Sequence, residues 1–224
     1  MIKSIEIENF FSFRNSQKVL LNKDTNILIG INGSGKSNFL KAITLLYEGV
    51  VGKDGFENIF LKDWSGFSSV SNYSRNRSNE IRIKYEFDKD AISRLEGING
   101  YKFRKNPVYE ITIGEVGNSN YHLKERIYSD SITSKKDPFI FLETENGQGF
   151  ISTRNKGRIG LQYYPDPDKK SNVSFKTQEL VLRQIADPDR YFPLFTLKNV
   201  IEKLVVYSYF DTTLESPIRQ LSTY

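Results

Sequence analysis

The chain of 224 residues has no cysteine and a single histidine, His122. The first absence removes disulfide frameworks and thiolate metal centres, and with them any reason to expect an oxidising compartment. The second removes histidine-rich metal sites and makes histidine-based triads poor candidates. His122 falls in an alternating segment that reads as a strand, so a structural role is expected for it. No apolar run approaches the roughly 18 residues of a membrane span, and Met1-Ile2-Lys3-Ser4-Ile5-Glu6 lacks the basic and apolar regions of a signal peptide. The expectation is a cytoplasmic protein with no membrane contact.

What is present is enough for a real core: 38% hydrophobic and 26% charged residues suit one elaborated domain, or a domain with a subdomain. Lys and Arg number 32 against 27 Asp and Glu, a net charge of +5 that permits a polyanionic partner without requiring one. Positive charge collects at Arg75 and Arg77, Lys102-Phe103-Arg104-Lys105, Lys135-Lys136, Arg154 with Lys156 and Arg158, and Lys169-Lys170. Such tips contact phosphates of DNA or RNA in some proteins. In others they are solvated turns that protect sheet edges. Both readings stay open at this level.

The informative motif is Gly30-Ile31-Asn32-Gly33-Ser34-Gly35-Lys36-Ser37, a complete phosphate-binding loop. It follows an apolar segment, Asn26 to Ile29, expected to be a strand. It precedes a helix expected from Lys36 to Glu48, with Phe39, Ala42, Ile43 and Leu46 on one face. Glycines let the backbone turn tightly and bring N–H groups onto phosphate oxygens. The helix N-terminus adds unpaired donors and the positive end of its dipole. Lys36 is expected to reach the β- and γ-phosphates as a point charge, and the Ser37 hydroxyl to ligate the Mg²⁺ that bridges them. ATP with Mg²⁺ is therefore the expected ligand. Asn32, Gly33, Ser34, Gly35 and Asn38 complete the binding set.

The chain divides into three zones. Residues 1–48 form a nucleotide-binding nucleus: strands over Ile2 to Glu8, Lys18 to Leu21 and Asn26 to Ile29, then loop and helix. Residues 49–175 open with a Gly-, Ser- and Asn-rich stretch and continue with short alternating segments: Ile81 to Phe87, Tyr109 to Val116, Tyr121 to Tyr128, Phe139 to Glu143 and Phe150 to Thr153. With turn signals such as Asn146-Gly147-Gln148-Gly149 between them, these predict a mostly antiparallel sheet. Residues 176–224 predict helices at Gln178 to Ala186 and Leu194 to Leu204, joined across Pro188 and Pro193, and a returning strand from Val205 to Phe210.

The opening Ile5-Glu6-Ile7-Glu8-Asn9-Phe10, with Ser12-Phe13, and the run from Asn26 through Gly30-Ile31-Asn32-Gly33-Ser34-Gly35-Lys36-Ser37-Asn38-Phe39-Leu40 resemble the N-terminal half of the SMC and RecF-like branch of ABC-type ATPases. Leu182-Arg183-Gln184-Ile185-Ala186-Asp187-Pro188, and Tyr209-Phe210-Asp211 through Ser216-Pro217-Ile218-Arg219-Gln220, are similar to segments of prokaryotic AAA-family ATPases in that branch. That group includes relatives of overcoming-lysogenization-defect nucleases and anti-phage ATPases. The resemblance implies an α/β P-loop NTPase fold: an ABC-ATPase-type head lobe with an antiparallel β subdomain beside the phosphate loop. It also implies a second lobe bearing a signature motif and a Walker B Asp-Glu pair, and two heads that sandwich two ATP molecules as a homodimer. A glutamine between the lobes would sense Mg²⁺ and the γ-phosphate. Gln184 fits the family's local pattern, Gln178 precedes a helix as such a glutamine often does, and both remain candidates. DNA or RNA, and an effector nuclease in phage defence or DNA repair, are the further partners implied.

Two departures qualify the match. Where the family commonly carries Arg or Lys after the opening Asn-Phe, this chain has Phe11, with Arg14 three positions on as the substitute nucleotide contact. Phe11 and Phe13 are each candidates for adenine stacking or, more in keeping with phenylalanine, for core packing. Leu204 to Asp211 imitates a Walker B strand, but Thr212 stands where the catalytic glutamate would follow. The cradle for phosphate is present and the water-positioning residue is not, so hydrolysis by this chain alone is expected to be slow or absent. Two alternatives use the same loop. A small-molecule kinase would need an acceptor site and an arginine-rich lid close behind it. A nucleic-acid-binding module with structural nucleotide would keep a salt-dependent DNA affinity when Lys36 is removed.

Overall fold

The computed structural model describes residues 1–72, 78–117, 120–130, 137–164 and 175–206. Arg75, Arg77, Lys135, Lys136, Lys169, Lys170, Asp211 and most of the expected returning strand lie outside them. Among the described residues an eight-stranded sheet forms, with order β2-β1-β3-β4-β5-β6-β7-β8 and every neighbouring pair antiparallel. The strands are β1 (Ile2–Glu8), β2 (Gln17–Leu20), β3 (Glu80–Phe87), β4 (Pro107–Val116), β5 (Asn120–Ser129), β6 (Phe139–Glu145), β7 (Gln148–Asn155) and β8 (Arg158–Tyr164). Helices α1 (Lys36–Val50), α2 (Gly55–Glu57), α3 (Phe67–Val70), α4 (Lys89–Glu96), α5 (Val181–Gln184) and α6 (Phe192–Glu202) accompany it, with one π-helical turn at Asn58–Asp63. This is the α/β lobe with an antiparallel sheet that the motif and pattern implied.

Alternation makes the sheet two-faced. In β3 the side chains of Ile81, Ile83, Tyr85 and Phe87 are buried, while Glu80, Arg82, Lys84 and Glu86 face outward. Helix α1 lays Phe39, Ala42, Leu45, Leu46 and Val50 into the same core, a stripe at helical spacing. Ile43, expected on that stripe, is only partly buried at its margin. The Tyr85 hydroxyl donates 2.7 Å to the Ala42 carbonyl and pins α1 to the centre of the sheet. Burial pushes that phenol well above the ordinary tyrosine range, so it stays a neutral donor.

Several elements differ from expectation. Asn26 to Ile29 is not a strand: the segment is extended loop, with Ile27 77% and Ile29 90% exposed. Its apolar sequence suits a buried central strand, but no neighbouring strand pairs with it among the described residues. The Gly- and Ser-rich stretch after α1 holds α2, the π-helical turn and α3, anchored by buried Phe56, Phe60 and Phe67. Helix α4 stands where only a connection was expected, started by Asp88, whose carboxylate accepts from the Asp90 and Ala91 amides. The segment Gln178 to Ala186 is helical only over the four residues of α5. Pro193 is not a break but sits in the first turn of α6, where its missing N–H costs nothing. Val205 and Val206 are not in a strand, and Val205 is exposed. Strand β8 was also not foreseen. It pairs with β7 through a two-residue turn, Lys156-Gly157, with φ of 46° and 79°, the left-handed pair such hairpins need.

His122 lies on β5, where its ring fills the space above Gly114 of β4 that a Cβ there would occupy. Its role is packing on the sheet surface.

Candidate nucleotide-binding site

The phosphate loop enters α1 through two left-handed glycines, Gly33 at φ 82° and Gly35 at φ 94°. A side chain at Gly35 would meet Ser12 Oγ at 2.7 Å, so the loop and the β1–β2 turn approach each other more closely than any other residue permits. No side chain caps the N-terminus of α1, and no acidic residue stands in its first turn. The first amides of the helix, at Lys36, Ser37 and Asn38, thus have no intrahelical acceptor. Asn32, Gly33, Ser34 and Ser37 are exposed, Lys36 is half-buried, and Gly35 is buried.

Lys36 Nζ donates to the Gly30 and Ile31 carbonyls at 2.7 and 2.8 Å, with Ser34 Oγ at 3.4 Å. The ammonium is thereby curled back onto its own loop. Its bonds to neutral carbonyls are the kind a charged phosphate oxygen outcompetes. Asn38 is tied sideways, its amide donating 2.9 Å to Ser12 Oγ, so it buttresses the loop against the β1–β2 turn. Ser37, one residue into the helix, is exposed.

The β1–β2 turn is fastened by side-chain hydrogen bonds. Asn9 and Phe11 adopt φ of 53° and 47°, and Asn9 holds them there by donating to Ser78 and Glu80 carbonyls and accepting from the Asn72 amide. Phe13 is buried with its ring near Gly35, and Phe11 packs edge-on against Trp64 with Lys41 Nζ 3.9 Å above its face. Neither ring offers a free face for adenine: core packing is the fate of Phe13, and a cation covers Phe11. Arg14 is exposed, next to Phe13, and forms no ion pair among the described residues.

The two glutamines are placed elsewhere. Leu180 packs at Gly49, and Arg183 donates to the Glu48 and Gly52 carbonyls, so the segment that carries Gln178 and Gln184 sits at the C-terminal end of α1. Thirteen residues at about 1.5 Å each put Gly49 about 20 Å along the helix from Lys36. The structure does not bring either glutamine to the loop. Gln184 is engaged locally: its amide donates to the Lys176, Glu179 and Leu180 carbonyls and accepts from the Lys176 amide. Gln178 lends its carbonyl to the Tyr121 hydroxyl at 2.8 Å, and its side chain is not bonded among the described residues.

What sequence reading missed is the clamp that fixes this segment. Glu125, on the core side of β5, is buried; its carboxylate accepts from the Val181 and Leu182 amides and from the Tyr109 hydroxyl at 2.6 Å. Burial raises its pKa to about 7 despite those three donors, which favour the anion. Glu179 accepts from the Phe56 and Glu57 amides, and Lys198 of α6 donates to the Arg183 and Ile185 carbonyls. The available signal was register: Tyr121, Leu123, Glu125 and Ile127 share the inward phase of β5, and a carboxylate in that phase needs partners.

With the loop's geometry in place, sequence comparison adds the family. Residues 1–208 match the model of the AAA ATPase domain. The chain belongs to that family. The resemblance read from the opening strand and the phosphate loop is thereby borne out at family level, and the family is one of nucleotide-binding domains. No curated protein matches the chain. A solved structure from work on ATP-driven dimerization and DNA-stimulated activation of SMC ATPases is similar to it at 20% identity and a TM-score of 0.40, covering 55% of this chain and 68% of that one. At that level of superposition the family assignment rests on the sequence match.

Proposed function

We propose that the chain binds ATP with Mg²⁺ as the first lobe of an SMC/RecF-like ATPase, which hydrolyses ATP when a second lobe and a partner head complete the site. The observation that carries this reading is the pairing of left-handed Gly33 and Gly35 with an uncapped α1 that begins at Lys36. In this reading the loop amides and Lys36 hold the phosphates, Ser37 holds the metal, and Arg14 approaches from the β1–β2 turn. Mg²⁺ would supply charge neutralisation between the β- and γ-phosphates.

The second lobe has a place to dock. Ile27 and Ile29, at 77% and 90% exposure, lie in the extended segment directly before the loop and Ile31, at 83%, lies in its first turn, an apolar row suited to pairing with a neighbouring strand. Gln178 is the glutamine whose side chain is available for a sensing role; Gln184 braces its own turn. Both stand far from Lys36, which favours binding without efficient hydrolysis by this lobe alone. A nucleic-acid-directed function, in repair or phage defence, in the cytoplasm, is the broader setting that the resemblance suggests. The test is calorimetric titration of Mg²⁺–ATP into the wild type and Lys36→Ala, with phosphate release followed in the same samples. Binding by the wild type alone with negligible turnover supports the reading. Equal binding by both proteins, or rapid turnover by the wild type, overturns it.

A further inference from the structure

The outer face of the sheet is rich in cations, and nearly all are paired. Lys3 and Lys18 meet Glu86, Arg82 meets Glu8, Glu80 and Glu110, Lys84 meets Glu6, Lys124 meets Glu80 and Glu145, and Arg126 meets Glu143. This lattice neutralises itself and offers little to a polyanion.

The opposite holds at the end of the sheet bounded by the α4–β4 connection and the β7–β8 hairpin. Arg104, Lys105, Arg154, Lys156 and Arg158 are exposed, and none is in an ion pair among the described residues. Asp130 and Asp137, which flank Ser129 and Phe139 in sequence, leave these cations in excess. Beside them lies a cavity of about 400 Å³ lined by Tyr101, Arg104, Ser129, Phe139, Phe141 and Ile159. Its wall is aromatic: Phe139 and Phe141 are 4.8 Å apart between centroids, and Phe141 and Tyr101 5.9 Å. Phe139 remains 43% exposed. The charged and aromatic parts are contiguous, because Arg154 is the register partner of the cavity residue Ile159. Its guanidinium also stands 5.1 Å from the Phe192 ring, itself 6.0 Å from Tyr101.

We propose that this cavity and its cationic margin bind single-stranded nucleic acid, with a base stacked against the Phe139 and Tyr101 wall and the flanking phosphates held by Arg104, Arg154 and Arg158. Cations with no ion pair among the described residues would alone suit any polyanion. The exposed Phe139 ring and the half-buried Tyr101 beside them select a polyanion with free planar faces, which a duplex hides in its stack and an inorganic phosphate lacks. No residue of this surface belongs to the phosphate loop, so the inference stands or falls apart from ATP binding.

The test is fluorescence anisotropy of the full chain with a short labelled oligothymidylate, a duplex of the same length, thymidine monophosphate as competitor, and inorganic polyphosphate as competitor. Phe139→Ala and Phe139→Leu should both weaken single-strand binding roughly 5- to 150-fold, the range for loss of one base stack, and leave polyphosphate competition at the cations unchanged. The Leu variant keeps the apolar bulk, so the loss cannot be laid to misfolding. Arg104→Ala and Arg154→Ala should each reduce the slope of log affinity against log salt by roughly 0.7. Lys84→Ala, on the neutralised face, and Lys36→Ala, in the phosphate loop, should change neither quantity. Equal affinity for the duplex, full competition by the monophosphate at equal concentration, or binding indifferent to both Phe139 variants would overturn the proposal.

Discussion

Replacing Glu125 by Gln should stabilise the protein at neutral pH relative to its effect in mild acid. The carboxyl is buried, and burial lifts its pKa from the usual 4.5 to about 7. Between those values the unfolded chain has released this proton and the folded chain still holds it. Unfolding is therefore favoured as pH rises through the window, and the wild type loses stability from about pH 4.5 until the folded group ionises near 7. The gap corresponds to about 3 kcal/mol at 1.36 kcal/mol per pH unit. The Glu125→Gln side chain cannot ionise, so the difference in unfolding free energy between variant and wild type should grow by about 3 kcal/mol across the window. Urea unfolding of both proteins at about pH 5 and about pH 8 measures this, and the subtraction cancels every other titrating group. Glu125→Leu separates the second component. It leaves the Val181 and Leu182 amides and the Tyr109 hydroxyl without their acceptor, each orphan costing about 1–3 kcal/mol, and should destabilise at both pH values. Parallel pH profiles for wild type and Glu125→Gln would refute the reasoning, since a group that ionises alike in both states cannot act as described.

Glu86 should show the opposite dependence. Burial pushes its pKa upward, but hydrogen bonds from Lys3, Asn106, Ser4 and Lys18 outweigh it and hold the carboxyl at about 2, so its stabilisation is present above 4.5 and lost as pH falls toward 2. Acid unfolding of Glu86→Gln should lack that component, and high salt should shrink it in the wild type because its partners Lys3 and Lys18 are about half exposed. Gly49→Ala should destabilise despite the helix propensity of alanine, since the new Cβ would lie 2.9 Å from Leu180 Cδ1 and 3.3 Å from Phe56 Cδ2. A net loss of about 1–3 kcal/mol in chemical denaturation is expected. Ile27→Ser with Ile29→Ser should leave the unfolding free energy within about 0.5 kcal/mol of wild type, as both side chains are solvated in this lobe. An added second lobe should fail to co-purify with the doubly substituted chain.

Legibility in the sequence followed locality. The loop from Gly30 to Ser37 and helix α1 were readable because each residue type answers a need within a few positions: φ above zero at Gly33 and Gly35, then helical spacing from Phe39 onward. Strands β3 to β7 were readable because inward and outward residues alternate and the Asn146-Gly147 turn names its own hairpin. Reading failed where structure depends on a distant partner. The apolar Asn26 to Ile29 segment has strand composition, yet a strand exists only if another strand pairs with it. Helix α4 hid because its cap, Asp88, was a local signal passed over in a stretch that looked like a connection. The bonds of Glu125 to α5 join positions up to 57 residues apart, and no period or motif encodes them.

These distant contacts bear on how the site works. The phosphate loop sits at one end of α1, and at the other end three carboxylate or guanidinium groups, Glu125, Glu179 and Arg183, fasten the segment from Lys176 to Ile185 to the helix and the sheet. Arg183 takes the Glu48 carbonyl in the last turn of α1 and the Gly52 carbonyl just beyond it, as the loop amides are left unpaired at its N-terminus. A phosphate bound at the N-terminus and a guanidinium held at the C-terminus both act on the same dipole with favourable sign. Each therefore tightens the helix that the other contacts. A protein that loses Arg183 should bind nucleotide less tightly without losing any residue that touches it, a coupling that titration of Mg²⁺–ATP into Arg183→Ala reads directly. Unchanged affinity would show that the two ends of α1 act independently.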